Sequence, residues 1–233
     1  MIFAAGRGER MRPLTDTTPK PLLKVGGRRL IEWHLQALAE IGVSDVVINT
    51  SHLAGQFPSA LGNGDRWGLK LHFIDEGPIP LETGGGMPNA LPVLGQDPFL
   101  LLNGDVWSDF DLRDLPANPG GAAHLVLVAN PQHSEKGDFV LQSDGSVVDE
   151  GAPRLTYSGI GIYRASLFDG WQDVFAGQPC TLQSSPRFPL APLLRAAMLR
   201  GEVSGQHHAG HWTDVGTPQR LQDLDAELTA GRS

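Results

Sequence analysis

A run of small and apolar residues, Ile2-Phe3-Ala4-Ala5, leads directly into Gly6-Arg7-Gly8-Glu9-Arg10-Met11-Arg12-Pro13-Leu14, and Thr18-Pro19-Lys20-Pro21-Leu22 follows. Glycines at Gly6 and Gly8 let the backbone turn sharply and come close to a ligand. Arg7, Arg10, Arg12 and Lys20 put positive charge around that turn. Backbone N–H groups combined with fixed cations are what a polyphosphate needs. The chemistry suggested is therefore the binding of a small, highly charged anion at the end of a strand.

The charge distribution agrees. The chain carries a formal net charge of −8, yet residues 1–29 hold seven of its 18 Lys+Arg and two acids. A local positive region in an acidic protein suits a small anionic ligand. A nucleic-acid track would need a broad basic face.

The turn must be positioned by regular elements, and the first half of the chain supplies them alternately. Residues 2–5 read as a strand buried on both faces. Residues 30–41 form an amphipathic helix ending at Gly42. Strands are expected at 46–49 and 69–74, a weaker helix at 53–61, and a short helix at 87–94 limited by Pro88 and Pro92. Residues 99–105 read as a fourth strand with a polar end at Asn103-Gly104-Asp105. This β-α-β-α rhythm predicts an α/β fold of three layers, with a mainly parallel sheet and right-handed crossovers. Ligands bind such sheets beyond the carboxyl ends of the strands. The Gly6 turn and Asp105 both lie at such ends.

The second half is less regular. Strands are expected at 123–128, 156–163, 203–208 and 211–215, with helices at 190–199 and 221–228. Residues 139–142 and 146–149 flank Ser143-Asp144-Gly145, a hairpin signal. The length suits one α/β domain over residues 1–233, divided into halves at residue 115. The single cysteine, Cys180, excludes an intrachain disulfide and a cysteine-cluster metal site, and fits a reducing cytoplasm. No apolar run approaches the ~18 residues of a membrane span. Arg7 and the glycines interrupt the start too early for a signal peptide.

Two common phosphate-binding patterns fit poorly. A dinucleotide fingerprint needs a third small residue where Met11 stands, and an acid where Asn49 ends the second strand. No Gly-Lys-Ser/Thr occurs anywhere. The stretch from Ala4 to Leu14, with Pro19-Lys20-Pro21-Leu22, instead resembles the signature of the sugar-1-phosphate nucleotidylyltransferases. The similarity continues through Asn103-Gly104-Asp105 to Trp212-Thr213-Asp214-Val215-Gly216-Thr217. Leu81-Glu82-Thr83-Gly84-Gly85-Gly86 and residues 190–198 look like the N-acetylmuramate-1-phosphate uridylyltransferases of peptidoglycan recycling. Residues 183–189 depart from that pattern.

The resemblance implies a Rossmann-like nucleotidyltransferase fold with a small acceptor-side hairpin. It also implies a nucleotide-binding first half, a sugar-phosphate-binding second half, and transfer from UTP to a sugar 1-phosphate with Mg²⁺ as cofactor. Attack of one phosphate on another brings two polyanions together, so catalysis is mostly positioning and charge neutralisation. Arg10 would hold the leaving pyrophosphate. Lys20, presented in extended backbone by its flanking prolines, would bridge the two phosphates that react. Asp105 and Asp214 would hold Mg²⁺, which prefers few carboxylates, several waters and phosphate oxygens. The nucleotide would also meet Ala5, Gly6, Gly8 and Glu9, and an open turn at Glu82, Thr83, Gly84 and Gly85 would meet the base. Asn103, Gly137, Asp138, Glu150 and Ser158 match acceptor-facing positions.

The alternatives within the class are glucose- or mannose-1-phosphate nucleotidylyltransferases using UTP, dTTP or GTP. A non-catalytic nucleotide-sugar sensor is the alternative of another class, and the complete Arg10/Lys20/Asp105/Asp214 set argues against it. A glycosyltransferase would use an Asp-x-Asp motif, but Asp109-Phe110-Asp111 lacks the strand-end setting of Asp105. A zinc site at His207, His208 and His211 is disfavoured, since alternating strand faces account for them. Neither nucleic acid nor a membrane is an expected partner.

Overall fold

The computed structural model of the chain describes residues 1–231. The chain divides into two compact units. The first comprises Met1–Pro80, Leu102–Leu112 and the residues from His211 onward, and the second comprises Leu81–Leu101 and Arg113–Gly210. Both units are discontinuous, whereas the sequence reading divides the chain once, at residue 115.

In the first unit, strand Ile2–Phe3 runs parallel to both Asp45–Thr50 and the end of Phe99–Asn103. Asp45–Thr50 also pairs in parallel with Lys70–Asp75. Ile2, Val46, Val47 and Ile48 are all buried. Burial on both faces explains why these strands read as unbroken apolar runs. Helix Leu30–Glu40 buries Leu30, Ile31, His34, Leu35 and Leu38, one stripe at i, i+4 spacing. Its first turn is closed by Glu32, whose Oε2 accepts from Arg29 N–H at 3.0 Å.

The fourth strand stops earlier than expected. It ends at Asn103, and Val106–Ser108 forms a separate strand that pairs antiparallel with Trp212–Asp214. Gly104 makes the break. Its N–H donates to Phe3 O at 2.8 Å, and a Cβ on it would lie 2.5 Å from that same oxygen. A short ribbon, Lys24–Val25 with Arg28–Arg29, turns through Gly26 and Gly27 at φ 58° and 78°. Helix Pro218–Ala230 starts earlier than the predicted 221–228. Thr217 caps it by accepting from Arg220 N–H at 3.3 Å, and Pro218 fits the first helical position. Met11, Val25, Leu30, Val215 and Leu224 form a buried cluster of this unit.

In the second unit, Ala123–Val128 is buried along its whole length. It pairs antiparallel with Thr156–Tyr163 and parallel with Val203–His208. The hairpin is present but shorter than expected, Val140–Leu141 against Val147–Val148. Helix Ala191–Leu199 carries Pro192 in its first turn. Helix Glu82–Leu94 starts five residues before the predicted 87 and includes all three glycines of the 84–86 run. The architecture is α/β with a mainly parallel sheet, as the alternating rhythm predicts. Among the described residues no helix is long and apolar enough to cross a membrane.

Candidate active site

The glycine turn follows from contacts at its base. Ala4 N–H donates to Asn49 Oδ1 at 2.9 Å, and Asn49 Nδ2 donates to Glu76 Oε1 at 2.8 Å. Thr15 Oγ1 donates to Gly8 O at 2.9 Å. Gly8 sits at φ 64°, where a side chain would be strained, and a Cβ would come within 3.2 Å of Lys20 Cβ. Gly6 differs. A Cβ there would meet nothing within 4 Å, so open space lies beside its backbone. Ala5 is buried beneath the turn, and Met11 anchors the 3₁₀ turn Glu9–Met11 with no exposed surface. That anchor leaves Glu9 and Arg10 exposed. Arg12 is held by Asp16 at 3.1 Å, and Arg7 Nη2 donates to Pro78 O at 3.4 Å.

Lys20 is buried, and its Nζ lies 2.6 Å from Asp105 Oδ2. The residue is not extended as its flanking prolines predicted. It opens the 3₁₀ turn Lys20–Leu22, in which Leu22 N–H reaches Pro19 O at 2.8 Å, so only Pro19 is extended. Asp105 O accepts from Val215 N–H at 2.8 Å, and Asp214 pairs in register with Val106. The two candidate carboxylates therefore project from adjacent backbone segments. Asp214 Oδ1 is 2.5 Å from Arg220 Nη1. Gly216 makes that pair possible, since a Cβ there would lie 2.1 Å from Arg220 Nη2. Asn103, half-buried, pairs with Phe3 at the strand end.

Sequence reasoning passed over Asn49, Thr15, His34 and Arg220. Asn49 and Thr15 brace the turn, and only a polar residue ending an apolar strand signalled Asn49. Arg220 had no signal in the sequence, because its closeness to Gly216 and Asp214 is made by the fold. His34 lies on the buried face of helix Leu30–Glu40. Burial pushes its imidazole down to about 4, although the carbonyls of Asn103 and Val106 and the charge of Asp105 favour the protonated ring.

The second-unit candidates are held differently. Glu82 has φ 63° and pairs with Arg187 at 3.0 Å. Thr83 Oγ1 accepts from Leu190 N–H at 3.1 Å, while Gly84 and Gly85 both donate their N–H to Phe188 O, at 2.9 and 3.1 Å. The expected open turn is thus the first turn of a helix, covered by residues 186–190. A Cβ on Gly84 would lie 2.5 Å from the Phe188 ring, and one on Gly85 2.2 Å from Pro186 O. Gly137, at φ 63°, precedes Asp138, whose Oδ2 accepts from Tyr157 N–H at 2.8 Å. Arg154 reaches the carbonyl oxygens of Asp138 and Asp149. Glu150 is exposed. Ser158 is fully buried at an irregularity of its strand, its Oγ accepting from Ile160 N–H at 3.1 Å. Its hydroxyl therefore braces the strand at this irregularity.

Residues 1–147 match the nucleotidyl transferase family model. The chain belongs to the nucleotidyl transferase family. Over 97% of its length it is 47% identical to the N-acetylmuramate alpha-1-phosphate uridylyltransferase of Neisseria meningitidis, across 96% of that protein. It is 32% identical, over 98% of its length, to the enzyme of the same name from Caulobacter vibrioides, again across 96% of the relative. A solved Bacillus anthracis protein assigned as a glucose-1-phosphate thymidylyltransferase superposes with a TM-score of 0.82 at 22% identity. That match covers 98% of this chain and 94% of the other, and is a likeness of fold.

A nucleotidyl transferase gathers several negative charges in one place, so its carboxylates need counter-charges. Asp105 has Lys20 and Asp214 has Arg220. Among the described residues no group of three or more His, Cys, Asp or Glu could hold a metal by itself. A pair of carboxylates on adjacent backbone, with no nitrogen or sulfur ligand, suits a hard cation that keeps waters and phosphate oxygens in its shell.

Proposed function

We propose that this nucleotidyl transferase moves a uridylyl group from UTP to N-acetylmuramate α-1-phosphate and releases pyrophosphate. The observation that carries the reading is the Lys20–Asp105 ion pair at 2.6 Å, with Lys20 packed against Gly8 of the glycine turn. The choice of UTP and of the muramyl sugar rests on the 47% and 32% identical relatives.

An oxygen of the sugar phosphate attacks the α-phosphorus of the nucleotide, and the bond to the pyrophosphate oxygen breaks. No general base is needed, because the attacking phosphate is already ionised. Gly6, Gly8 and Glu9 supply backbone to the nucleotide phosphates above Ala5, and the exposed guanidinium of Arg10 holds the departing pyrophosphate. Lys20 serves the α-phosphate and the incoming phosphate, where charge accumulates. Asp105 and Asp214 would hold Mg²⁺, which when bound would neutralise phosphate charge. Glu82 and Thr83, exposed at the helix start, are assigned to the base. The N–H groups of Gly84 and Gly85 shape that helix start instead of meeting the ligand. Asn103, Gly137, Asp138 and Glu150 are assigned to the acceptor.

The muramyl lactyl group adds a carboxylate that needs a cation or N–H groups. Arg28 is stacked 4.4 Å from the centre of the Trp33 ring, Arg29 is paired with Glu32, Arg187 with Glu82, and Arg154 braces the 138–149 segment. Lys136, exposed next to Gly137, is the favoured partner for the lactyl carboxylate. With these substrates the reaction belongs to peptidoglycan recycling, in the cytoplasm where UTP is made.

Pyrophosphate release from purified protein, crossing four NTPs with a panel of sugar 1-phosphates, tests the reading. UTP with N-acetylmuramate 1-phosphate should give the highest kcat/KM. Equal use of N-acetylglucosamine, glucose or mannose 1-phosphate would remove the muramyl assignment and leave the transferase class standing. No release with any pair would favour a nucleotide-sugar sensor.

A further inference from the structure

His34 lies within the first unit on helix Leu30–Glu40, and 8% of its surface is exposed. Its Nε2 is the buried side-chain nitrogen or oxygen that lacks a hydrogen-bond partner among the described residues. Buried polar atoms are nearly always paired, so an unpaired one calls for a reason. An apolar side chain at the same place on the helix would fill the stripe of Leu30, Ile31, Leu35 and Leu38 with no such penalty. What faces the ring is specific. The carbonyls of Asn103 and Val106 both approach it, and these two residues bracket Gly104-Asp105.

That four-residue segment is fixed at its other contacts. Gly104 N–H is tied to Phe3 O at 2.8 Å, Asp105 O to Val215 N–H at 2.8 Å, and the Asp105 carboxylate to Lys20 at 2.6 Å. Val106 then starts the next strand. The carbonyls of Asn103 and Val106 face the helix and need a donor there. A neutral imidazole offers one N–H and one bare nitrogen. It can serve one carbonyl at a time and leave its other nitrogen unpaired, which accounts for the lone Nε2.

We propose that His34 is a positioning residue for Asp105: from the helix side its ring holds the 103–106 turn, which fixes the direction in which the Asp105 carboxylate points. The functional part of this inference rests on the assignment of Asp105 to nucleotidyl transfer. The structural part does not. A group supporting a ligand from behind typically changes affinity or rate by about 10- to 100-fold when removed.

The test is His34→Leu in the full chain, read in two ways. Amide hydrogen exchange should show Gly104 and Val215 losing protection by about tenfold, with the amides of strand Lys70–Asp75 unchanged. In steady-state assays kcat should fall by about tenfold, with KM for the nucleotide within twofold of the parent. His34→Asn, which keeps a donor near Nδ1, should recover part of both effects. It also serves as the test if the leucine variant does not fold, with loss smaller than that caused by His34→Ala. Unchanged exchange at Gly104 and Val215 would overturn the proposal, whatever happens to the rate. Faster exchange with an unchanged kcat would overturn its functional part. If Asp105→Asn itself kept normal turnover, the reading of Asp105 would fall, and the exchange experiment would still decide whether His34 holds the turn.

Discussion

In the first unit the candidate side chains hold one another. Lys20 pairs with Asp105, Arg220 with Asp214, and the backbone beside Gly6 is left bare. In the second unit the candidates are held by their own fold. Gly84 and Gly85 give their N–H groups to Phe188, Asp138 accepts from Tyr157, and Ser158 is buried in its strand. The difference separates two kinds of work. Charge neutralisation needs side chains set in opposition before the phosphates arrive. Recognition of a base or sugar, the work proposed for the second unit, needs a shaped surface, and at Gly84 and Gly85 the backbone is held close by the absence of side chains. Substitutions in the first unit should therefore act on kcat, and those in the second on stability and on KM.

The largest effect is expected from Asp105→Asn. The change keeps shape and removes charge, so the fold should persist, with the melting temperature lowered because the buried Lys20 loses its counter-charge. Pyrophosphate release should fall by about a thousandfold or more if Asp105 holds the proposed metal, since such a carboxylate contributes several kcal/mol to the transition state. Turnover near the parent level in the folded variant would end the distinction between the two units.

Arg10→Ala and Lys20→Ala should each cost about a hundredfold and should differ in form. Arg10 is exposed and is proposed to meet groups already present in the bound nucleotide, so KM should rise while kcat falls. Lys20 is buried and is proposed to act where charge peaks, so kcat should fall more than KM rises. Two purely KM effects in steady-state assays would reduce both to simple binding cations.

Gly85→Ala probes the second unit. Its added Cβ would lie 2.2 Å from Pro186 O, a backbone atom that cannot move alone. Crowding of this kind costs about 1–3 kcal/mol. Denaturant unfolding should register that loss, and KM for the nucleotide should rise several-fold with kcat little changed. A fall confined to kcat would mean that this helix start takes part in the transfer step.

Much of the fold was legible because strands announce themselves, by unbroken burial at 123–128 and by alternation of buried and half-buried residues at the start of 203–208. The runs at 123–128, 156–163 and 203–208 correspond to the observed strands residue for residue. The break at Gly104 was not legible, because it depends on contact with Phe3, a hundred residues away. The helix beginning at Glu82 was hidden for a similar reason. Three consecutive glycines argue against a helix locally, and the Phe188 carbonyl that caps them lies far along the chain. In the site, the cationic glycine turn could be read from residue types and spacing, and the remaining signature residues from the resemblance to the family. Their supports, Asn49 beneath the turn and Arg220 beside Asp214, are polar side chains whose partners only the fold brings together.

The smallest effect concerns pH and the second unit alone. His124 is buried on strand Ala123–Val128, with its ring nitrogens 2.9 Å from Ser204 Oγ and 2.9 Å from Gln206 Oε1. Burial holds its imidazole below the ordinary 6.5, although the Gln206 contact favours the charged ring. The folded chain therefore binds this proton more weakly than the unfolded chain does. Above pH 6.5 both states are neutral at His124 and its full contribution to stability is present. As the pH falls through 6.5 the unfolded chain takes up the proton first, and stability is lost until the lower folded value is passed. His124→Gln removes the titration and keeps a group able to hydrogen-bond. Denaturant midpoints measured from pH 7.5 down to 5 should decline less steeply in the variant than in the parent. Parallel declines would mean that acid sensitivity in this window arises elsewhere than at His124.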